Sequence, residues 1–265
     1  MNFLWPEGKP KALTLSYDDG VEQDERLIRI FNRYGLKCSF HLNSGRFGCD
    51  NRPDLDVEKL RARYAGHEIS CHSVSHPTLT KIPESEIIRE VFADRLTLER
   101  IAGYPVVGMS YPMGDYNQRI MDILRAAGII CCRTVKATGN FALPEDFLAW
   151  HPSCHHKQAL ELLDAFLKDR YLLSLFFVWG HAYEFDNDDN WNLIEEFARR
   201  ASGHNDVYYA TNVDICRYVL AVRSLVGSAD GRTFYNPTDR TVWFRFNYGG
   251  EVFSLAPGET RSFRD

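Results

Sequence analysis

A strict alternation of strand-like and helix-like segments constrains the fold more than any other feature of this sequence. Short apolar or alternating runs, of which residues 12–20 are the first, are each followed by a segment of helical periodicity that stops near a glycine. We count about seven such pairs before residue 226. Because each helix must return the chain to the same end of the sheet, this order predicts parallel strands. The pattern predicts an α/β fold and leaves open whether the sheet is doubly wound or a closed or nearly closed barrel.

The pattern changes after residue 227. Three short β-type segments follow, separated by turns rich in Asn, Pro and Gly. We therefore expect an α/β unit over residues 1–227 and a small antiparallel β appendage over residues 228–265. The appendage carries no cluster of chemically reactive side chains, so we expect a structural role for it.

Composition and charge exclude several classes of function. A formal net charge of -5 and a pI near 6.0, without a basic run, argue against a nucleic-acid partner. The longest apolar run, residues 171–179, is too short to cross a bilayer, so we expect no membrane span. The first residues do not form a basic segment followed by an apolar core, and the seven cysteines suit reduced thiols. Both features favour a cytoplasmic location, and the oligomeric state is left open.

Two adjacent carboxylates, Asp18 and Asp19, stand where the first strand pattern ends and Gly20 follows. Neighbouring side chains of a strand point to opposite faces, so these two carboxylates can take separate roles in one site. The alternative is an ordinary turn, because Asp and Gly are common turn residues.

Two histidines, His72 and His76, lie four residues apart after the third strand pattern. One helical turn would place both imidazoles on the same side, at a spacing that a metal ion can bridge. A pair of structural histidines is the alternative. By contrast, the run from Cys154 to His156 has no second cysteine at zinc-site spacing, and the sequence favours no structural metal there.

Further polar residues follow other predicted strands. The segment 111–114 (Tyr-Pro-Met-Gly) follows the fourth strand, Arg133 ends the fifth, and His181 follows the sixth. In a parallel α/β fold the carboxyl ends of the strands share one face, and active sites lie there. We therefore expect these groups to lie close to the carboxylates and the histidine pair.

Four of these segments carry a family resemblance. They resemble, in order, four motifs of the polysaccharide deacetylases, carbohydrate esterase family four. The segments are residues 16–20 (Ser-Tyr-Asp-Asp-Gly), residues 72–76 (His-Ser-Val-Ser-His), residues 111–114 and the late His181. The resemblance implies a distorted parallel (β/α)7 barrel. The segment after residue 227 would add a small C-terminal antiparallel β appendage to this barrel. It also implies one divalent metal ion held by an aspartate and two histidines.

The resemblance implies a role for each matching residue. The metal ligands would be Asp19, His72 and His76, the general base Asp18 and the general acid His181. A backbone N–H near Tyr111 would hold the oxyanion of the reaction.

The sequence departs from the family pattern at two places. Ser110 stands where the third motif usually has an arginine that orients the base, and Arg133 is a candidate substitute, with a surface or structural role as the alternative. The fourth motif is not plain, and residues 146–150 are the nearest candidate. Trp179 could stack on a sugar ring, although aromatic residues of barrels more often fill the core.

These residues suit a metal-dependent hydrolase. One carboxylate and two imidazoles leave coordination positions open for chemistry and accept Zn²⁺, our first choice, or Co²⁺, Ni²⁺, Mn²⁺ or Fe²⁺. We expect removal of an N-acetyl group, less readily an O-acetyl group, from a carbohydrate substrate such as a glycan precursor. The alternatives are an amidohydrolase acting on a small non-sugar amide or cyclic ureide, and a catalytically impaired, metal-retaining carbohydrate-binding module.

Overall fold

The computed structural model of the chain describes residues 1–263. The strands are β1 Asn2–Leu4, β2 Lys11–Asp18, β3 Cys38–Leu42, β4 Glu68–Cys71, β5 Gly108–Ser110, β6 Cys131–Arg133, β7 Cys154–His155, β8 Ser174–His181, β9 Val207–Tyr209, β10 Val226–Gly227, β11 Thr233–Tyr235, β12 Val242–Arg245, β13 Phe253–Leu255 and β14 Thr260–Ser262. The helices are α1 Asp24–Arg33, α2 Val57–Arg63, α3 Glu84–Ala102, α4 Gln118–Ala126, α5 Ala159–Lys168, α6 Glu184–Asn187, α7 Trp191–Ala201 and α8 Asn212–Arg223.

A curled parallel sheet forms the centre of the molecule. Its strand order is β6-β5-β4-β3-β2-β8-β7, and β9 pairs with the first residues of β2. Every residue of β2 is buried, as expected for a strand that is covered by helices on the outside and by side chains inside a barrel. The predicted parallel, barrel-like α/β fold is therefore confirmed.

One short segment links the two edges of this sheet. The N–H of Trp150 donates to the carbonyl of Cys132 at 3.1 Å, and the carbonyl of Trp150 accepts from Thr134 at 2.9 Å. A few residues later, β7 pairs with β8 in parallel. The sequence pattern predicts only a loop here, because a single bridging residue leaves no periodic signal. This segment turns an open sheet into a distorted, nearly closed barrel.

Two small antiparallel sheets accompany the barrel, with the orders β1-β12-β13 and β10-β11-β14. Antiparallel strands in the last part of the chain agree with the turn pattern. The first sheet also takes in β1 from the other end of the chain, where Phe3 pairs with Phe244. The division of the chain after residue 227 stays a prediction.

None of the helices formed within residues 1–263 combines the length and the apolar character that crossing a membrane requires.

Candidate active site

The carboxyl ends of β2, β4, β6 and β8 bring the predicted polar residues to one end of the barrel. Register explains part of this convergence, because Asp18 pairs directly with His181 across the β2–β8 ladder. On the other side of β2, Asp18 pairs with His41 of β3. Since parallel strands end at one face, residues that are distant in sequence meet there.

The three predicted metal ligands lie close together. One ligand atom from each of Asp19, His72 and His76 lies within 4.8 Å of the other two. The Nε2 atoms of both histidines are 4.0 Å from Oδ1 of Asp19. This oxygen is buried and has no hydrogen-bond partner. Because a buried carboxylate oxygen without a partner is costly, a cation facing the two imidazoles fits the site.

The two histidines converge through a loop, not through a helical turn. No helix forms over residues 72–76, so the helical spacing argument was wrong even though the imidazoles meet, with ring centroids 4.6 Å apart. Ser73 and His76 adopt left-handed φ values of 63° and 61°, which reverse the chain direction. Asp19 is also left-handed, at φ 81°. Left-handed residues other than glycine persist only where surrounding contacts hold them, and they concentrate at functional sites.

Side chains from the residue after β3 and from α3 hold this loop in place. The Asn43 amide donates to the carbonyls of His72, at 2.6 Å, and Ser73, at 3.0 Å. Asp94 accepts from the N–H of His72 at 3.0 Å, and Glu90 accepts from the N–H and hydroxyl of Ser75, both at 2.8 Å. These contacts fix the backbone that carries both imidazoles.

Ser110 sets the orientation of the His72 ring. Its carbonyl lies 2.9 Å and its hydroxyl 2.7 Å from Nδ1 of His72, and the hydroxyl donates to Oδ1 of Asp18 at 3.1 Å. Nδ1 of His72 is then the protonated nitrogen, which leaves Nε2, 3.7 Å from Oδ2 of Asp18 and 4.0 Å from Oδ1 of Asp19, with a free lone pair. Burial lowers the pKa of His72 to about 4, so the ring is neutral and suited to bind a metal at neutral pH. The serine therefore connects a candidate ligand to the candidate base.

Arg133 lies against Asp18 in the interior. Its Nη2 donates to Oδ2 of Asp18 and its Nε to the hydroxyl of Ser16 at 3.1 Å, and the side chain is 1% exposed. Burial by itself would raise the pKa of Asp18, but the guanidinium and His72 hold that pKa well below its usual range. A surface role for Arg133 is excluded by this burial. The contact makes Arg133 the buried ion-pair partner of Asp18.

His181 is oriented by a residue that the sequence argument missed. Nδ1 of His181 lies 2.7 Å from Oε1 of Glu184, which begins α6 three residues later. Burial alone would lower the pKa of His181, but the Glu184 hydrogen bond raises it above its usual value. The only signal in the sequence was a glutamate at helical spacing after the histidine, which is too common to single out.

Tyr111 and Trp179 occupy different environments. The N–H of Tyr111 donates to the carbonyl of Arg133 at 3.0 Å, and its hydroxyl donates to the carbonyl of Leu148 at 2.7 Å. Neither group of Tyr111 is therefore free to meet an oxyanion in this conformation. The Arg133 guanidinium lies 4.3 Å from the ring centroid of the half-buried Trp179, whose Nε1 has no hydrogen-bond partner. One face of this indole is therefore already covered.

A polar cleft of about 410 Å³ opens beside Asp19. Two arginines line it: Arg46, which is partly exposed, and Arg52, whose Nε donates to the carbonyl of Asp19 at 3.1 Å. Tyr183 and Asn51 lie in the same wall. Of the three candidate metal ligands, Asp19 lines this cleft.

Comparisons with known proteins agree with this arrangement. The family model "Polysaccharide deacetylase" matches residues 6–131. Chitin deacetylase 1 of Cryptococcus neoformans var. grubii is 29% identical over 142 residues, which cover 52% of this chain and 29% of that protein. Peptidoglycan-N-acetylglucosamine deacetylase of Bacillus cereus is 27% identical over 115 residues, which cover 43% of this chain and 40% of that protein. The chain thus spans less than half the length of either relative.

A crystal structure from Mycobacterium smegmatis, assigned to the polysaccharide deacetylases, shares the fold. Its TM-score is 0.62 at 19% identity, over 84% of this chain and 95% of that one. At this identity the likeness speaks for the fold alone, whereas the family model matches the segments that contain Asp18, Asp19, His72 and His76. On the family match, the motifs and the shared fold, the chain resembles the polysaccharide deacetylases, with the family match confined to residues 6–131.

Proposed function

We propose that the protein is a metal-dependent deacetylase that hydrolyses an N-acetyl group, less readily an O-acetyl group, on a sugar or glycan. The observation that carries the proposal is the buried Oδ1 of Asp19, which has no hydrogen-bond partner and lies 4.0 Å from two imidazole nitrogens. The names of the two curated relatives, a chitin deacetylase and a peptidoglycan deacetylase, support this substrate class.

Asp19, His72 and His76 would hold one divalent metal ion. Two imidazoles and one carboxylate suit Zn²⁺ and also accept Co²⁺, Ni²⁺, Mn²⁺ or Fe²⁺. When bound, such an ion polarises a carbonyl group and lowers the pKa of a coordinated water to about 7.

Asp18 would take the proton from the attacking water. Its carboxylate is ionised at neutral pH because of Arg133, and Ser110 and Arg133 hold its two oxygens in place. This pairing lowers its basicity but fixes its position, and correct placement of the base is the first requirement for proton transfer.

His181 would donate a proton to the leaving amine. An amine leaves readily only when protonated, so the reaction needs an acid on this side of the carbonyl. The hydrogen bond from Nδ1 to Glu184 favours the protonated ring and leaves Nε2 as the nitrogen for transfer. The proposal keeps two substrate contacts. Trp179 would stack on a sugar ring, and a backbone N–H near Tyr111 would hold the oxyanion.

The test is acetate release from N-acetylglucosamine oligomers by the purified protein, before chelation, after chelation and after zinc is restored. We expect activity to disappear with the metal and to return with it. Asp18→Asn and His181→Ala should each lower the rate by about 10²-fold or more. Asp122→Asn, at an exposed site on α4, serves as the matched control. Wild-type rates in either variant would remove that residue from the mechanism.

Other outcomes of the same screen would replace the proposal. Ammonia or a ring-opened product from small amides or cyclic ureides, without acetate release, would identify an amidohydrolase of non-sugar substrates. Oligosaccharide binding without turnover under any divalent metal would identify a binding module.

A further inference from the structure

A second group of side chains that could bind a metal ion lies next to His181 and includes its hydrogen-bond partner Glu184. One ligand atom from each of His155, His156 and Glu184 lies within 4.8 Å of the other two. Oε2 of Glu184 is 3.3 Å from Nε2 of His155 and 3.4 Å from Nε2 of His156. None of these three side chains belongs to the group formed by Asp19 and its two histidines.

His156 gives the independent evidence for a ligand. It is 2% exposed, and neither of its ring nitrogens has a hydrogen-bond partner. The ring is stacked on Phe185, with centroids 4.3 Å apart, and lies parallel to Tyr17 at 5.8 Å. Gly180 also packs directly against it, in a space that no side chain could share. Within the described part of the chain, the only carboxylate near this buried imidazole is that of Glu184, 3.4 Å from Nε2 without forming a hydrogen bond, and a cation between the two groups would supply the missing partner.

Glu184 divides its two oxygens between two tasks. Oε1 accepts from Nδ1 of His181 at 2.7 Å, while Oε2 faces both histidines of the pair. The Lys157 ammonium is also 3.6 Å from Oε2, but it lies closer to Asp188, at 2.7 Å. The lysine can therefore remain paired with Asp188 while Oε2 serves a cation.

We propose that His155, His156 and Glu184 form a second site for a divalent transition metal such as Zn²⁺. Two imidazole nitrogens and one carboxylate oxygen are a donor set that suits zinc, copper and nickel, with positions left for water. The side chains of His155 and Glu184 are 19% and 18% exposed, so an ion can enter from solvent. Two adjacent histidines do not by themselves indicate a metal site. The third ligand, Glu184, comes from a different strand–helix connection, so the sequence pattern around the histidines does not show it.

Occupation of this second site inhibits the reaction proposed above, and this part of the inference rests on that proposed function. A cation on Oε2 draws negative charge away from the carboxylate whose Oε1 holds His181. The hydrogen bond that keeps the His181 ring oriented is then weakened. The site would therefore make activity fall when zinc exceeds the amount needed by the first site.

The binding test does not depend on turnover. Metal-free protein is brought to equilibrium with zinc by dialysis, and bound zinc is measured by atomic emission. We expect two zinc ions per chain for the wild type, and one for His155→Ala and for Asp19→Ala. The second site would be disproved if the wild type and His155→Ala each bound one zinc ion per chain. It would also be disproved if His155→Ala still bound two. Glu184→Gln, a second variant with nearly unchanged shape, should also bind one.

Zinc titration of activity tests the inhibitory coupling. His155→Ala should keep the basal rate. The zinc concentration that inhibits this variant should be at least about tenfold higher than the concentration that inhibits the wild type, as expected when a metal site is weakened. Equal inhibition of both proteins would overturn the coupling. If no substrate is turned over but the stoichiometry falls from two to one in His155→Ala, the proposed function fails and the second site stands. The reverse result, turnover with one zinc ion in both proteins, keeps the function and removes the second site.

Discussion

At the scale of single residues, buried charges define the candidate site. Asp18 and Arg133 are both almost fully removed from water, and each compensates the charge of the other. The guanidinium also reaches Ser16 and the carbonyl of Thr134, so its donors are satisfied inside the barrel. Removing one member of a buried ion pair leaves the other charge without compensation.

Arg133→Met should therefore destabilise the fold by about 3–5 kcal/mol, because Asp18 would remain buried and unpaired. Arg125→Met is the matched control. Arg125 is exposed and pairs with Asp122 and Asp146, so its loss should cost about 1 kcal/mol or less. Urea denaturation of both variants measures the difference. Equal costs would mean that the buried pair contributes no more than a surface pair.

Asp24 makes stability depend on pH in the opposite direction from most carboxylates. Burial raises its pKa to about 8, in spite of the hydrogen bond from Tyr64 at 2.9 Å. An aspartate in the unfolded chain titrates near 3.9, so the folded state binds the proton more tightly. The stabilising contribution is complete below about pH 4 and is lost as the pH rises to about 8, by up to about 1.4 kcal/mol per pH unit.

Asp24→Asn should remove this part of the pH dependence. The amide keeps an acceptor for Tyr64 and carries no charge, so the variant should be more stable than the wild type at about pH 9. Asp239→Asn, at an exposed position, is the control and should follow the wild-type curve. The free energy of unfolding measured from about pH 4 to pH 9 checks the prediction. Parallel curves for wild type and Asp24→Asn would contradict it.

At the scale of elements, the loop between β4 and α3 decides whether two of the candidate ligands can meet. Its left-handed residues are unfavourable by themselves, and the compensation comes from side chains outside the loop. Asn43 follows β3, while Glu90 and Asp94 lie on one face of α3. The candidate metal centre therefore depends on helix α3 as much as on the strands.

Glu90→Ala should weaken zinc binding at the first site by about 10- to 100-fold, because residues that hold metal ligands in place affect affinity by this amount. The measurement is competition with a chelator, carried out in the His155→Ala background so that only the first site is followed. Glu86→Ala is the control, because the side chain of this partly exposed residue of the same helix pairs with Arg89 and not with the loop. Unchanged affinity in Glu90→Ala would show that the loop keeps its conformation without this contact.

At the scale of the whole molecule, the two ends of the chain are joined. β1 pairs with β12, and Trp5 donates from Nε1 to the carbonyl of Ser174 in β8 at 3.1 Å. The hydroxyl of Tyr218, on α8, donates to the carbonyl of Leu4 and accepts from the N–H of Trp243 at 3.1 Å. One tyrosine thus connects the barrel helix with two of the three strands of the small sheet, β1 and β12.

Tyr218→Phe should destabilise the protein by about 1–3 kcal/mol, because it leaves backbone groups of Leu4 and Trp243 without their partner in a buried region. Tyr235→Phe is the control, since Tyr235 is 41% exposed. Chemical denaturation followed by tryptophan fluorescence compares the two. If both variants match the wild type, the shared hydroxyl does not hold the ends of the chain together.

The sequence predicted the features that depend on local periodicity. Parallel strands, their helices and the position of Asp18 and Asp19 at a strand end all follow from apolar repeats that neighbouring residues carry. The grouping of His72 and His76 was also anticipated, but for the wrong geometric reason. Their loop is shaped by contacts from Asn43, and no pattern within five residues encodes such a distant partner.

By itself, then, the sequence determined the α/β class and the resemblance to the polysaccharide deacetylases, and it predicted most of the candidate site residues, because motifs and periodic patterns are local properties of the chain. Only the tertiary structure decided which of these residues share a site. It joined Arg133 to Asp18, placed Glu184 between His181 and a second histidine pair, and bridged the edges of the barrel at Trp150. The physical reason is that burial and contact between distant segments, not sequence spacing, determine which charges must compensate each other.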